Sequence, residues 1–262
     1  MLFLKLIVMA IVQGLTEFLP VSSSGHLVLL HHWMEALQGD LFFDIVLHLG
    51  TLGAVVVVYR SELLRLFMFD RPALNYIAAL IIGTIPAVIV GLLLKDFMEG
   101  LFGSPRAAGY ALLFTGLVLL TTRRAVVKDD SDSDDLVSPG LLKAFLIGCA
   151  QAIAITPGIS RSGMTIASSL LLGLPRVEAA RFSFMLAIPA IAGALVLQIL
   201  DGAATETLAS PVQLVVTAIV AFVFGLLAIR LTALAVVKSH FWKFAFYCMP
   251  LGLLVLYITR GL

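Results

Sequence analysis

Long apolar runs, broken by short polar segments, recur along the whole chain. Six of them, roughly 42–59, 73–94, 107–122, 182–200, 211–229 and 241–259, read as bilayer-crossing helices. A helix needs about 20 residues at 1.5 Å each to span the hydrocarbon core. The run 107–122 is short and predicts extension of the helix or local thinning of the bilayer. Two regions depart from this pattern. Residues 2–12 are apolar, polar residues follow, and 27–34 are mostly apolar again. Residues 144–155 and 164–174 repeat that layout around PGISRSG. Each arm would be roughly 12–20 Å long as a helix, about half a membrane. Broken half-helices are tolerated at that depth only where protein buries them or where they line a watery cavity. The spacing therefore predicts two re-entrant hairpins.

Charge placement agrees with this reading. The loops 60–71, 123–143 and 230–243 are rich in Lys and Arg, whereas 201–210 has neither and 95–106 holds only Lys95 and Arg106. By the positive-inside bias the first three loops are cytoplasmic and the other two external. Segment 144–174 must then enter and leave by one face, and 1–38 dips in from the other. The hairpins are also related in sequence. Gln13, Ser22, Ser24 and Gly25 match Gln151, Ser160, Ser162 and Gly163 without a gap, at a constant offset of 138 residues. Three crossings separate the copies, so the second is inverted, an arrangement that places sites near the midplane at broken helices. The expected fold is all-α and integral to the membrane: about six transmembrane helices plus two re-entrant hairpins in an inverted-topology repeat. A single membrane domain, 1–262, would comprise halves of about 1–122 and 141–262, joined by a cytoplasmic acidic loop, 123–140.

Composition excludes several classes. The chain is 61% hydrophobic and only 13% charged, against about 25% charged in a typical soluble domain. A net charge of +1 offers no basic surface for nucleic acid. Cys149 and Cys248 lie in apolar segments and read as buried thiols, not a disulfide framework. The apolar N-terminus lacks a small-x-small cleavage site and leads directly into Gln13 and Glu17, so it is expected to stay in the mature protein. Trp33 and Trp242 read as interface anchors. Small residues at Gly109–Gly116 and Ala190–Ala194 permit close helix packing, and with it a homodimer.

The chemistry gathers at the hairpin tips. Gln13 and Glu17, spaced i, i+4, share one helix face. A carboxylate at membrane depth is costly unless it is paired or binds a metal. Beyond Pro20 come Ser22, Ser23, Ser24, Gly25 and His26. The second tip brings Ser160, Arg161, Ser162, Gly163 and Thr165, where the next half-helix begins with N–H groups suited to an anion. Arg161 stands at the repeat position of Ser23, so symmetry sets them facing each other. Mg²⁺ or Ca²⁺ prefers oxygen ligands, often one or two carboxylates plus substrate phosphates. Arg forks onto phosphate oxygens, and a hydroxyl beside a base can attack phosphorus. The set suits hydrolysis of a phosphate ester or anhydride on a lipid. Duller roles stay open: a structural Glu17–Arg161 ion pair, serines that bond the bent backbone, and a packing role for His26 or for His48. A transporter of anionic lipid or solute fits the same architecture.

QGLTEFLPVSSSGH, residues 13–26, and PGISRSGMT, residues 157–165, resemble the two signatures of the undecaprenyl pyrophosphate phosphatase family, also called the bacitracin-resistance family. Order, separation and length extend the resemblance over essentially the whole chain. It implies an enzyme of the bacterial inner membrane that converts undecaprenyl pyrophosphate, a polyprenyl pyrophosphate lipid, to undecaprenyl phosphate and inorganic phosphate. That recycles the carrier used for peptidoglycan and other envelope polymers. It further implies a divalent cation, Mg²⁺ or Ca²⁺, and a site open to the outer side. By motif, Glu17 is the residue of metal binding or base action, with Gln13 as a second ligand. Ser23 is the nucleophile or a phosphate contact, His26 an acid/base group and Arg161 the phosphate clamp. Ser22, Ser24, Ser160, Ser162, Gly163 and Thr165 support the phosphate. Many members carry Glu at the position of Gln13; here a neutral amide leaves only its carbonyl oxygen as a ligand.

Overall fold

The computed structural model describes residues 2–33, 40–125, 137–200 and 207–260. These residues form helices and connecting turns, without a strand among them. The α-helices are α1 (Leu2–Phe18), α2 (Ser23–Trp33), α3 (Leu41–Val58), α4 (Arg60–Leu66), α5 (Arg71–Leu93), α6 (Lys95–Phe102) and α7 (Pro105–Thr121). The second half has α8 (Leu141–Ile153), α9 (Arg161–Leu171), α10 (Arg176–Leu200), α11 (Pro211–Val237) and α12 (Ala245–Ile258). Helices α3, α5, α10 and α11, with the continuous stretch Phe241–Ile258, are five elements long and apolar enough to cross a membrane. The sixth expected span is α7, whose 17 residues give a length of about 25 Å. Only 22–39% of the residues in the five spans are buried inside the chain. Their outer faces carry exposed leucine, isoleucine and valine, as a lipid-facing surface requires. The protein is therefore a multi-pass membrane protein. The acidic run 128–135 lies outside the described residues.

Local chemistry sets the helix starts. Asp70 accepts from Ala73 N at 2.9 Å to cap α5. Ser104 accepts from Ala107 N at 3.2 Å to cap α7. Ser210 forms a capping box with Gln213 on α11. A proline in the first turn of each adds a preset φ. The hairpins α1–α2 and α8–α9 are present, with helix reaching further into the polar tips than expected: the first arm continues to Phe18, so Gln13 and Glu17 ride on its last turns, and α2 and α9 begin at Ser23 and Arg161.

Shifting α2 by 138 residues gives the bounds of α9, and the same shift lays α3 on α10, α5 on α11 and α7 on α12. Packing is exchanged between halves. The first arm of each hairpin lies along a span of the other half, α1 on α11 and α8 on α5, while α7 pairs with α12. Glycines allow the close approaches. A methyl at Gly148 would collide with the Gly83 carbonyl oxygen, and one at Gly14 would sit 2.7 Å from Ala221 O. Gly109 and Gly116, expected to permit close helix packing, do so against α12: Gly109 O lies 2.8 Å from a methyl built on Gly252. An apolar groove of about 520 Å³ runs between α4, α5 and α10, lined by Leu63, Ile81, Ile85, Val88, Met185 and Pro189 among others.

Candidate active site

The two hairpin tips touch. A Cβ on Gly25 would stand 2.9 Å from Gly158 Cα, so glycine is what lets these backbones meet. Gly158 has φ +94, and a methyl there would lie 2.6 Å from Ala111 Cβ. Three contacts stitch the tips: Gly158 N donates to Ser24 Oγ at 3.3 Å, Ser162 Oγ donates to Leu19 O at 3.0 Å, and Arg161 Nη2 donates to Glu17 Oε1 at 2.6 Å. The flanking helices satisfy carbonyls freed at the bends. Thr232 Oγ1 donates to Phe18 O at 3.1 Å, Cys248 Sγ to Pro20 O at 3.4 Å, and Thr115 Oγ1 to Gly158 O at 3.2 Å. The non-helical backbone of both bends thus has partners supplied by protein.

Glu17 is the hub. Its Oε2 accepts from Ser23 Oγ at 2.6 Å and from Gln13 Nε2 at 3.2 Å, while Oε1 takes the Arg161 guanidinium. These donors offset the cost of a carboxylate that is only 8% exposed. Arg161 also lies 5.9 Å over the Phe18 ring, a cation–π distance. Ser23 and Arg161, expected to face each other, flank the same carboxylate from its two oxygens. Two atoms beside this pair are buried without a hydrogen-bond partner among the described residues: Arg161 Nη1, a donor, and Gln13 Oε1, an acceptor. An anion would satisfy the first and a cation the second.

The remaining sequence candidates sit differently. Ser22 Oγ accepts from Gly25 N at 3.1 Å and Ser160 Oγ accepts from Gly163 N at 3.0 Å, so each caps the helix that follows. Ser24 and Ser162 lie 3.2 Å from those two hydroxyls and reach across to the opposite tip. Thr165 Oγ1 bonds Arg161 O at 2.9 Å and also meets Ser183 Oγ. Ser160, Ser162 and Thr165 are at most 1% exposed. These hydroxyls are committed to the scaffold of the tips. His26 is also engaged: Nδ1 lies 2.7 Å from Ser22 O and Nε2 lies 2.7 Å from Tyr247 Oη, with the two rings stacked. Neither partner is Glu17, and the bond to Tyr247 is exposed. Ser22 holds φ 68, a left-handed backbone that costs about 1–3 kcal/mol and turns its carbonyl to His26.

A family model described as bacitracin resistance protein BacA matches residues 6–254. The chain belongs to that family. Among its relatives, the undecaprenyl-diphosphatase of Rhodopirellula baltica is 43% identical, with 98% of each chain aligned. That of Desulfosudis oleivorans is 42% identical over 96% of this chain and 97% of its own. Undecaprenyl-diphosphatase 4 of Bacillus cereus is 41% identical over 97% and 96%.

In this chain, the sequence pattern does not mark Tyr247, Thr115 and Thr232. Each acts through a bond between residues far apart in the chain, and no local pattern marks such a residue. His48, whose role the sequence leaves open, lies on α3 with Nε2 3.9 Å from Glu17 Oε2.

Proposed function

We propose that this protein hydrolyses undecaprenyl diphosphate to undecaprenyl phosphate and inorganic phosphate. The observation that carries the reading is the Glu17 carboxylate held between Arg161 and Ser23 where two broken helices meet. The full-length similarity to undecaprenyl-diphosphatases supports the substrate. Arg161 is the phosphate clamp, with Nη1 left to bind a phosphoryl oxygen. Ser23 is the nucleophile. Its proton passes to Glu17 Oε2, a bond forms from Oγ to the terminal phosphorus, and the bridging P–O bond breaks. Prenyl phosphate leaves with that electron pair, and water then cleaves the phosphoserine. Glu17 and the Gln13 carbonyl are the groups that would hold a divalent cation, Mg²⁺ or Ca²⁺. Such an ion, when bound, neutralises charge on the phosphates. Ser22, Ser24, Ser160, Ser162, Gly163 and Thr165 serve the phosphate indirectly, by holding the tips in register.

The location that suits this reading is the bacterial inner membrane, with the site open to the outer side. It draws on the positive-inside bias and on the exchanged packing of α1 and α8, which fits an inverted repeat. That packing also suits a protein that moves lipid, and one assay separates the two activities. Purified protein in detergent, given polyprenyl diphosphate and Mg²⁺, should release phosphate. Glu17→Ala and Arg161→Ala should abolish the release. Unchanged release in both variants would remove the site assignment.

A further inference from the structure

His48 differs from His26 in what its nitrogens meet. His48 Nδ1 lies 2.8 Å from the Asp44 carbonyl oxygen, one turn back on α3. A carbonyl only accepts, so Nδ1 carries a proton, and in the neutral ring Nε2 keeps its lone pair. Fixing one ring nitrogen on a carbonyl is also how a metal-ligating imidazole is oriented. Nε2 faces Glu17 Oε2 at 3.9 Å, beyond hydrogen-bond reach. Both atoms are acceptors in this tautomer, so they have no direct attraction for each other. On the same carboxylate sits Gln13, whose Oε1 is buried and without a partner among the described residues. Three groups with lone pairs therefore lie around one carboxylate: its own oxygen, the His48 imidazole, and the Gln13 amide, whose Nε2 donates to Oε2 and whose oxygen a half-turn of the amide would bring there. The His48 side chain is 27% exposed.

We propose that His48 Nε2 is a ligand of the divalent cation held at Glu17, and that its nitrogen biases the site toward Mn²⁺ over Ca²⁺. The inference rests on the cation assigned to Glu17 under the proposed function. Replacing a second carboxylate with an amide and an imidazole removes one negative charge and adds a softer donor. Imidazole is a ligand of Fe²⁺, Ni²⁺, Cu²⁺ and Zn²⁺; Mn²⁺, at the weak end of that series, favours oxygen but still accepts a nitrogen, whereas Ca²⁺ takes oxygen almost exclusively.

The test is Mn²⁺ binding to the purified protein in detergent, without substrate, followed by electron paramagnetic resonance. Pulsed spectra report nitrogen coupling from a directly bound imidazole. Wild type should bind one Mn²⁺ with that coupling, and Ca²⁺ should compete poorly. His48→Gln should lose the coupling and weaken Mn²⁺ binding by at least about tenfold, while narrowing the preference over Ca²⁺. His48→Ala, checked for folding by gel filtration, should weaken Mn²⁺ binding at least as much. If Glu17→Gln abolishes Mn²⁺ binding but His48→Gln leaves affinity and spectrum unchanged, His48 is not a ligand and the cation reading survives. If wild type binds no Mn²⁺, or Glu17→Gln leaves binding intact, the cation assignment at Glu17 fails and this inference falls with it.

Discussion

The two elbows are built alike and loaded differently. In the first, Ser22 caps Gly25 and touches Ser24; in the second, Ser160 caps Gly163 and touches Ser162, with bond lengths that agree within 0.1 Å. Each elbow's hydroxyl also reaches the other: Ser24 takes Gly158 N, and Ser162 bonds Leu19 O. The cargo is divided. Where the first elbow has Glu17, Ser23 and His26, the repeat positions hold Ile155, Arg161 and Met164. The matching serines hold backbone, and residues that differ carry charge or reactive groups; the matched glutamines divide, Gln151 bonding Gly83 O and Gln13 bonding Glu17. A duplicated scaffold can keep its capping bonds while only one copy bears the acid, because two facing carboxylates would repel at membrane depth.

The sharpest way to break this comparison is to remove the Glu17–Arg161 ionic link between elbows. Arg161→Ala strands Glu17 in the interior, and should lower phosphate release at least about a hundredfold and destabilise the fold by about 3–5 kcal/mol. Adding Glu17→Ala should recover part of that stability, because it removes the uncompensated charge, but none of the activity. Thermal midpoints and phosphate release for the single and double variants decide this. A double variant no more stable than Arg161→Ala alone would show that the pair does not hold the elbows.

Next in size is the backbone contact. Gly158→Ala places a methyl against Ala111 and Ala108 at a φ of +94, for a cost of about 2–4 kcal/mol. Gly173 has φ +76 and nothing within 4 Å, so Gly173→Ala bears only the backbone strain, about 1 kcal/mol. Differential scanning of both variants isolates the cost of separating the tips. Equal midpoints would mean that the elbows tolerate a gap.

Much of this arrangement was legible in the chain. Apolar run lengths located α3 and α5 to within a few residues; α10 starts earlier than expected, at Arg176, and α11 runs on through Arg230 to Val237, because one arginine at a membrane edge interrupts an apolar run without ending the helix. The i, i+4 spacing put Gln13 beside Glu17, and the constant offset of the repeat brought Ser23 and Arg161 to one carboxylate. The matching serines were harder to read. Ser22, Ser24, Ser160 and Ser162 looked like phosphate contacts, because a hydroxyl that caps a helix and one that binds an anion have the same sequence. In the structure Ser22 and Ser160 each accept a capping bond, from Gly25 N and Gly163 N. Tyr247 left no trace at all, since its role depends on how α12 is docked against the first elbow.

The capping serines give a smaller test of the same division. Ser22→Ala and Ser160→Ala should each cost about 1 kcal/mol of stability, with KM for the lipid substrate nearly unchanged. Ser23→Ala should show the reverse, with near-native stability and kcat collapsed. A rise in KM for Ser160→Ala at unchanged thermal midpoint would return that hydroxyl to the phosphate and blur the distinction between scaffold and cargo.

The smallest expected effect belongs to His26, where cargo and scaffold meet. Its ring is held by the Ser22 carbonyl on one nitrogen and the Tyr247 hydroxyl on the other, both at 2.7 Å. An imidazole bonded on both sides is poorly placed to exchange a proton with substrate unless one bond opens, and the Tyr247 bond, exposed to the surroundings, is the one free to do so. Tyr247→Phe keeps the stacked ring and deletes that bond, for about 1 kcal/mol. If His26 is a post for the first elbow, Tyr247→Phe should reduce kcat/KM less than tenfold, and His26→Ala should lower the thermal midpoint along with the rate. If His26 transfers protons, freeing its Nε2 should shift the pH profile of kcat in Tyr247→Phe, and His26→Ala should lose rate at unchanged stability. The structure favours the post, because the strained backbone of Ser22 at φ 68 is what aims its carbonyl at Nδ1.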